Sequence, residues 1–493
     1  MTGAQGGTTA GRGEASAPDV TAEPLALARG ALSSEQAWVV GGAVRDRLMG
    51  RVPERADIDL VVACDPEHAA RRIRDGAARG SAVFALSDAF GAWRVVGPGG
   101  RWQVDVSALH EGGLDADLNA RDLTVNAIAQ PLSGGEIADP TGGAEDLRRG
   151  TLRMVTPQSF ESDPLRILRV ARLAVELGLA AEPVTLAAAR ERAGGLARVS
   201  GERIFAELRG VLAGDVPSAG LRLLEELGAT AVVLPELVAL RGVEQTVYHH
   251  LDAHDHTLEV LDAVASLERD PAPTVGGERA AGVRALLAEP LADEMTRGAG
   301  LRWGALLHDI AKPRTRVLLD GGAVGFPGHD REGAAMARDI LARLRASERL
   351  RGHVAGLARH HLRAGFLVRD HPLGRRAVHD YLLGCGAVAA DVTLLSIADR
   401  LATRGRKAQE SIERHMALAL PLLDDALAWR ASGPPAPLVR GDELAAALGI
   451  EAGPRLGELL AELAGAQFAG LIATPAQALE HARELVGHDW RPR

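Results

Sequence analysis

Residues 37–62 constrain this chain more than any other stretch. The apolar run AWVV (37–40) ends in Gly41-Gly42, the segment VRDRLMG follows, and DIDLVV (57–62) alternates before turning fully apolar. That pattern predicts strand, tight turn, helix, loop, strand. Glycines at the turn let backbone N–H groups come close to a phosphate, and a helix N-terminus favours anions. Arg45, one turn into the helix, can reach the same anion with its planar fork. Asp57 and Asp59 flank Ile58, so on a strand they share one face. Two adjacent carboxylates repel unless a cation sits between them, and Mg²⁺ favours a few carboxylates plus phosphate oxygens. Taken singly, a glycine pair is usually only a turn and an Asp-x-Asp is usually solvated. Together, with the phosphate turn fifteen residues ahead of the carboxylates, they point to metal-assisted displacement at phosphorus. Asp105, in WQVDVSAL on a second predicted strand, is a candidate third carboxylate, as metal ligand or general base. A structural role for it is nearly as well supported.

The rest of the chain divides by pattern. A Gly-, Ala-, Ser- and Thr-rich leader over 1–24 is expected to be disordered. Short strand-like pieces such as WRVV continue to about residue 130, so residues 25–152 read as an α+β head with a mixed sheet and helices. From about residue 155 the apolar residues recur at three- and four-residue spacing, as in PLRILRVARLAVELG, ERIFAELRGVL and AGLRLLEELGA. This predicts an all-α remainder: a neck over 153–245, a body over 246–431 and a small helical tail over 432–493. RDPAPTVGGERAAG reads as a loop or insertion between helices, and SGPPAP (432–437) as a boundary.

Composition narrows the function classes. Aromatic residues make up only 3% of the chain, which argues against aromatic base-stacking platforms. No run approaches the roughly 18 consecutive apolar residues of a membrane helix, and the N-terminus lacks the basic-then-apolar order of a secretory signal. Cys64 and Cys385 are the only cysteines, too few for a disulfide framework. The expectation is a cytoplasmic protein without a membrane partner. Net charge is −9, so any RNA must be met by a local arginine surface against a repelling global field. Lys312 and Lys407 are the only lysines, a bias that a GC-rich genome explains.

Asp163, Arg166, Arg169 and Arg172 are spaced by three, which predicts one slowly drifting stripe on a helix. Such a stripe is usually a solvated face. An aspartate heading three arginines also suits a reader of bases and phosphates. Asp accepts from an exocyclic amino group and Arg donates to a ring nitrogen or carbonyl. Cytosine and adenine both offer an amino group at the equivalent position of the Watson–Crick edge; uracil and guanine do not at that position.

GGAVRDRLMG with ADIDLVV, then RDLTVNAIA, DPTGGAEDLRRGTLR, DPLRILRVARLAVELG and SGERIFAEL, follow in an order that resembles the bacterial CCA-adding enzyme and poly(A) polymerase family, the class II tRNA nucleotidyltransferases. The resemblance runs from about residue 36 to 480. It implies a polymerase-β-like nucleotidyltransferase head and transfer of CTP and ATP residues to the tRNA 3′ end. It further implies that Gly41, Gly42 and Arg45 meet the triphosphate and that Asp57 and Asp59 hold Mg²⁺. Arg121 and Asp122 would contact sugar and phosphates. Asp163 and Arg166 would read the incoming base, with Arg169 and Arg172 as further nucleotide contacts. Asp139 with Gly142 and Gly143 matches the hinge between head and neck, and Glu202, Arg203 and Glu207 the neck motif. Two positions depart from the family pattern. Ser162 replaces the usual Glu, with Glu161 one place earlier, and Ala120 replaces the first of two arginines. Both bear on nucleotide preference and on the switch from C to A.

A second constellation lies at 249–400. His256, His308-Asp309 and Asp399 have the order of the HD phosphohydrolase superfamily, and His329, His360 and His361 are candidates for a second metal position. Imidazole with carboxylate suits Mn, Fe, Ni or Zn more than Ca²⁺. Metal-activated water would then hydrolyse cyclic phosphates, phosphomonoesters or nucleotides. The tail, from LVRGDELAAALGIEAGPRLGE onward, resembles the segment that follows the body in HD-bearing CCA-adding enzymes and implies a grip on tRNA shape. Three alternatives stand beside the leading reading: a poly(A) polymerase, a transferase adding only CC or only A, and a phosphohydrolase whose head merely docks RNA. The oligomeric state, monomer or homodimer, stays open.

Overall fold

A computed structural model describes residues 20–53, 55–87, 91–246, 249–405 and 408–487. The chain separates into two compact units, 1–192 and 193–493. Most of the leader expected over 1–24 lies outside the described residues, but its end does not. Helix α1 (Ala22–Ala31) already begins at Ala22, and Ala28 and Leu32 are buried in the core of the first unit.

The first unit is built on six strands: β1 (Ala37–Val40), β2 (Ala56–Val62), β3 (Ala82–Ser87), β4 (Ala92–Val96), β5 (Trp102–Ala108) and β6 (Ala129–Pro131). They pair in the order β3-β4-β5-β2-β1-β6. Only β2 and β5 run parallel, so the sheet is mixed. Side chains alternate between its faces. Ile58, Leu60, Val104 and Val106 enter one core with Ile73 of α3 (Pro66–Gly76) and with Ala28. Asp57, Asp59 and Asp105 therefore project from the opposite face, where Val61 joins a smaller cluster with Leu118 and Ala127. Asp65 caps α3, accepting from the backbone N–H groups of Glu67 and His68.

Four helices complete the parts of the unit that bear on function: α2 (Gly42–Leu48) after β1, α4 (Leu114–Asn119), α5 (Gly143–Arg149) and, past a short turn at 158–162, α6 (Arg166–Leu177). Asp139 accepts from the N–H groups of Gly143 and Ala144 at the start of α5. Gly143 is required there, because a Cβ would lie 2.0 Å from the Thr124 carbonyl oxygen. Helix α6 is amphipathic. It buries Ile167, Leu168, Val170, Ala171 and Leu173 and turns its arginines outward. The predicted four-residue stripe is shortened to three. Asp163 stands before the helix with extended backbone (φ −144°, ψ 95°), because the residue preceding a proline, here Pro164, is kept out of the helical region.

The second unit is mostly helical, as its periodicity predicts, but not all-α: Pro290–Ala292 pairs with Met295–Thr296 and Val317–Leu318 with Val324–Gly325 as short antiparallel strands, pieces too short to show a period of two in the sequence. Helices at Gly201–Ala213 and Pro217–Glu226 lead into Ala253–Arg269, Arg297–Leu307, His329–Arg343, Glu348–His360, Ala389–Ala402 and Ala408–Ser432. Arg203 is exposed and Glu207 half-buried on the first of these. The stretch expected as a loop at 269–282 is instead two helices, Ala272–Val275 and Gly277–Leu287. Pro271 and Pro273 fall at a helix start, where a missing N–H is harmless. Gly276 supplies the positive φ (+87°) that joins the two. One stretch, Arg375–Ala402, is long and apolar enough to cross a membrane by composition alone. Of its most apolar window 72% is buried within the unit, so its apolar residues serve a core. Three short helices, Gly441–Leu448, Pro454–Phe468 and Pro475–Gly487, close on their own cluster of Leu444, Leu459 and Ala478.

Candidate active sites

The head carries a cleft of about 1060 Å³ whose lining includes Gly41, Arg45, Asp57, Asp59, Asp105 and Arg121, with Arg166, Arg169 and Arg172 of α6 along the same cleft. Gly41 joins β1 to α2 with φ +69°, a conformation that side chains disfavour. A Cβ there would lie 3.3 Å from Arg121 Nη1 and 3.4 Å from Asp59 Oδ2. The turn thus brings bare backbone against the carboxylates, as the glycine pair predicts.

The three carboxylates differ. Asp57 accepts from Gln103 Nε2 at 2.8 Å and is otherwise open. Asp59 is accessible from the cleft it lines, yet protein crowds the space around its carboxylate. That crowding, with Asp57 and then Asp105 beside it, pushes its carboxyl up to about 6, against the pull of Arg121. A carboxylate recessed in a cleft and raised by its neighbours is stabilised by a cation, so the pair fits a divalent ion. Asp105 is the register partner of Asp59 on the parallel strand. Both its oxygens accept from Arg94, Nε to Oδ1 and Nη2 to Oδ2, each at 2.7 Å.

The arginines are held by acids and carbonyls. Arg45 is buried and donates from Nη1 to Asn126 Oδ1 at 2.7 Å and from Nε to Asp46 at 2.9 Å. Arg121 pairs with Asp117 of α4 at 3.2 Å. Asp122 is buried and lies 3.2 Å from Arg169 Nε. Burial works to raise its pKa, but the Arg169 charge, the Leu123 N–H and the Asn126 amide outweigh it and hold the carboxyl below its ordinary range. Arg166 donates to the Ala120 carbonyl at 3.1 Å, Asp163 Oδ1 accepts from the Leu165 N–H at 3.2 Å, and Arg172 pairs with Glu176 at 2.7 Å. Sequence reasoning missed Arg94, Asn126 and Glu176. Asn126 and Glu176 stand inside the quoted motifs RDLTVNAIA and DPLRILRVARLAVELG, where their residue types were a signal left unused, whereas only the β4–β5 register puts Arg94 against Asp105.

In the second unit six of the seven expected ligands converge. His256, His308 and Asp399 form one group whose ligand atoms lie within 4.8 Å of one another, and Asp309, His329 and His361 form another. Asp309 bridges them, with Oδ2 3.1 Å from His308 Nε2 and Oδ1 3.3 Å from His329 Nε2. His308, His329 and His361 each donate Nδ1–H to the carbonyl three residues earlier, at 2.7–2.8 Å. That fixes the tautomer and aims a bare Nε2 at the centre, as in metal-binding histidines. The Nε2 atoms of His256 and His308 are buried and make no well-aligned hydrogen bond; each instead lies close to a carboxylate oxygen, Asp399 Oδ1 at 3.0 Å and Asp309 Oδ2 at 3.1 Å, the convergence of donors a bound cation would join. The donor set fits two divalent ions. His360 does not join. It is half-buried and set among Arg359, Arg363 and Asp330, since neighbours on a helix point about 100° apart. Sequence reasoning also missed two groups here. Lys312 Nζ lies 2.5 Å from Asp309 Oδ2, and His249 stands edge-on to His256 at 5.0 Å. Burial, then the charges of His256 and Lys312, hold His249 down to about 4.

Three sequence-family models match the chain. The Poly A polymerase head domain covers residues 37–91 and 100–153. The probable RNA and SrmB-binding site of polymerase A covers 178–240, and the HD domain covers 253–404. An A-adding tRNA nucleotidyltransferase of Deinococcus radiodurans is 37% identical over 90% of this chain and 94% of its own length. The chain belongs to the tRNA nucleotidyltransferase family. A CC-adding tRNA nucleotidyltransferase of Thermus thermophilus is 35% identical over 90% of this chain and 92% of that protein. Among solved structures, the Thermotoga maritima CCA-adding enzyme complexed with tRNA shares the fold, with a TM-score of 0.60, 20% identity, and coverage of 95% of this chain and 96% of that one. This tRNA nucleotidyltransferase thus has the α+β head and HD-bearing helical body that its motifs imply.

Proposed function

We propose that this enzyme builds the CCA end of tRNA from CTP and ATP, and that its HD centre hydrolyses phosphate esters. The observation that carries the first part is the head cleft, where Asp57 and Asp59 share one space with Arg121 and the three arginines of α6. At about 1060 Å³ it lies just above the range for small-molecule sites, about 300–1,000 Å³, as suits a cleft that takes a nucleotide and an RNA end together. Asp57 and Asp59 would hold Mg²⁺, which when bound assists attack by the RNA 3′-hydroxyl and stabilises the leaving pyrophosphate. Gly41 and Gly42 let the backbone approach the triphosphate, and Arg45 holds the Asn126 side of that turn. Arg121, Arg169 and Arg172 meet phosphates and sugar, with Asp122 orienting Arg169. Asp163 and Arg166 recognise the amino edge shared by cytosine and adenine. Asp139, Gly142 and Gly143 serve as hinge, Glu202, Arg203 and Glu207 shape the neck, and the tail grips tRNA. A cytoplasmic setting belongs to this reading.

A second reading, addition of A alone or of CC alone, is favoured by one observation. Two relatives that match nearly end to end carry those names. Incubating the protein with tRNA lacking its 3′ end, Mg²⁺ and each nucleotide in turn, then sequencing the products, separates the readings. Ordered C, C, A supports the main one. A single A, or CC alone, selects the second, and long A tails mean a poly(A) polymerase. For the HD centre, His256, His308, Asp309 and Asp399 with His329 and His361 would hold Mn, Ni, Fe or Zn, supplying activated water for hydrolysis. Loss of cyclic-phosphate hydrolysis on chelation, restored by one of these metals, tests it.

A further inference from the structure

Across three neighbouring strands, Arg94, Asp105 and Asp59 stand side by side in one row. Arg94 is the register partner of Asp105 on antiparallel β4 and β5, and Asp105 that of Asp59 on parallel β5 and β2. Residues 94 and 105 alternate with Val95, Val104 and Val106, which fill the opposite core, so both project toward the cleft. In the next row Asp57 faces an uncharged partner, Gln103. Three carboxylates thus crowd one sheet face, and Arg94 is the one guanidinium that the strands themselves place beside them, Arg121 and Arg169 acting on Asp59 from outside the sheet.

The guanidinium is not shared. It grips Asp105 through two parallel bonds of 2.7 Å, the fork geometry that is the strongest arginine–carboxylate contact. Both side chains are partly screened, 29% and 21% exposed, so the pair sits in a wall and not on an open surface. A carboxylate whose two oxygens are committed to one arginine is a poor further ligand for a cation. The adjacent positive charge also opposes an ion's approach from that side.

We infer that Arg94 is a positioning residue that keeps Asp105 out of the cation site, so that Asp57 and Asp59 alone receive the divalent ion. Asp105 then acts through Arg94 as a fixed wall of the nucleotide cleft, neither ligand nor general base. This rests on the reading of Asp57 and Asp59 as the ion's ligands. Removing the guanidinium converts a two-carboxylate site into a three-carboxylate site, and binding tightens.

The test is Mn²⁺ titration of the free, full-length protein, followed by electron paramagnetic resonance of unbound Mn²⁺. The Asp59→Asn variant defines the part of the isotherm that belongs to the head, since the HD centre is common to all the proteins compared. Arg94→Ala is expected to bind Mn²⁺ in the head about tenfold more tightly, the scale on which outer-shell partners tune metal sites. Arg94→Gln covers the case in which the alanine variant does not fold. Asp105→Asn should leave Mn²⁺ affinity within about twofold of wild type on the same scale. The double variant Arg94→Ala/Asp105→Asn should return to wild-type affinity, which a general loosening of the sheet would not produce. Unchanged affinity in both Arg94 variants overturns the inference, as does an Asp105→Asn loss as large as that of Asp59→Asn. If Asp59→Asn itself binds like wild type, the ligand reading beneath it fails, a distinct outcome.

Discussion

At the scale of single residues, Asp59 carries a stability cost at the position proposed for the cation. Its raised pKa, about 6 against an ordinary 3.8, means that between those values the metal-free folded protein holds a proton the unfolded chain has released. Stability therefore falls as pH rises through that window, and the cost is complete above about 6. Asp59→Asn should melt at a higher temperature than wild type near neutral pH in the presence of a chelator. The gap should close below pH 3.8, where the carboxyl is protonated in both states; calorimetry across that range measures it. The same variant should lose nucleotide addition. Gly41→Ala should destabilise by about 1–2 kcal/mol through its positive φ, read from urea unfolding. It should also impair transfer more than stability, because the added methyl meets Arg121 and Asp59.

At the scale of elements, α6 fills a core with one face and lines the cleft with the other. Its apolar face is buried through Ile167, Leu168 and Val170, and its arginines line the cleft. Ile167→Ala should cost about 2–5 kcal/mol as a core cavity, seen as a lowered urea midpoint. Asp122→Ala acts differently. It removes a carboxylate that holds Arg169, so KM for the nucleotide should rise while tRNA binding is kept, measured by steady-state kinetics and filter binding. The helix itself was legible from apolar spacing; its first residue was not. Spacing by three carried the stripe back to Asp163, whereas Pro164 ends that continuity locally. The reverse error befell residues 269–282. Prolines and glycines there read as a loop, yet each stands at a helix start or joint, where it is tolerated.

At the scale of the whole molecule, the transferase cleft lies within the first unit and the HD centre within the second. Asp57→Ala should abolish nucleotide addition and spare phosphohydrolysis, and Asp309→Ala should do the reverse, with each assay run on both proteins. Loss of both activities in either variant would contradict that separation.

The sequence alone determined which residues share a local surface. Gly41 before α2, Asp57 beside Asp59, and His308 next to Asp309 follow from periods of two and 3.6 and from turn chemistry, all of which act over a few residues. It also carried the order of motifs that marks the family. Only the tertiary structure decided what meets across long separations. Strand register set Arg94 against Asp105 and Asp105 against Asp59. Helix packing chose His361 over His360 for the HD centre and brought Asp309 between two ligand groups. Register and helix rotation are settled by the burial of whole faces, a cooperative quantity that no short window of residues contains.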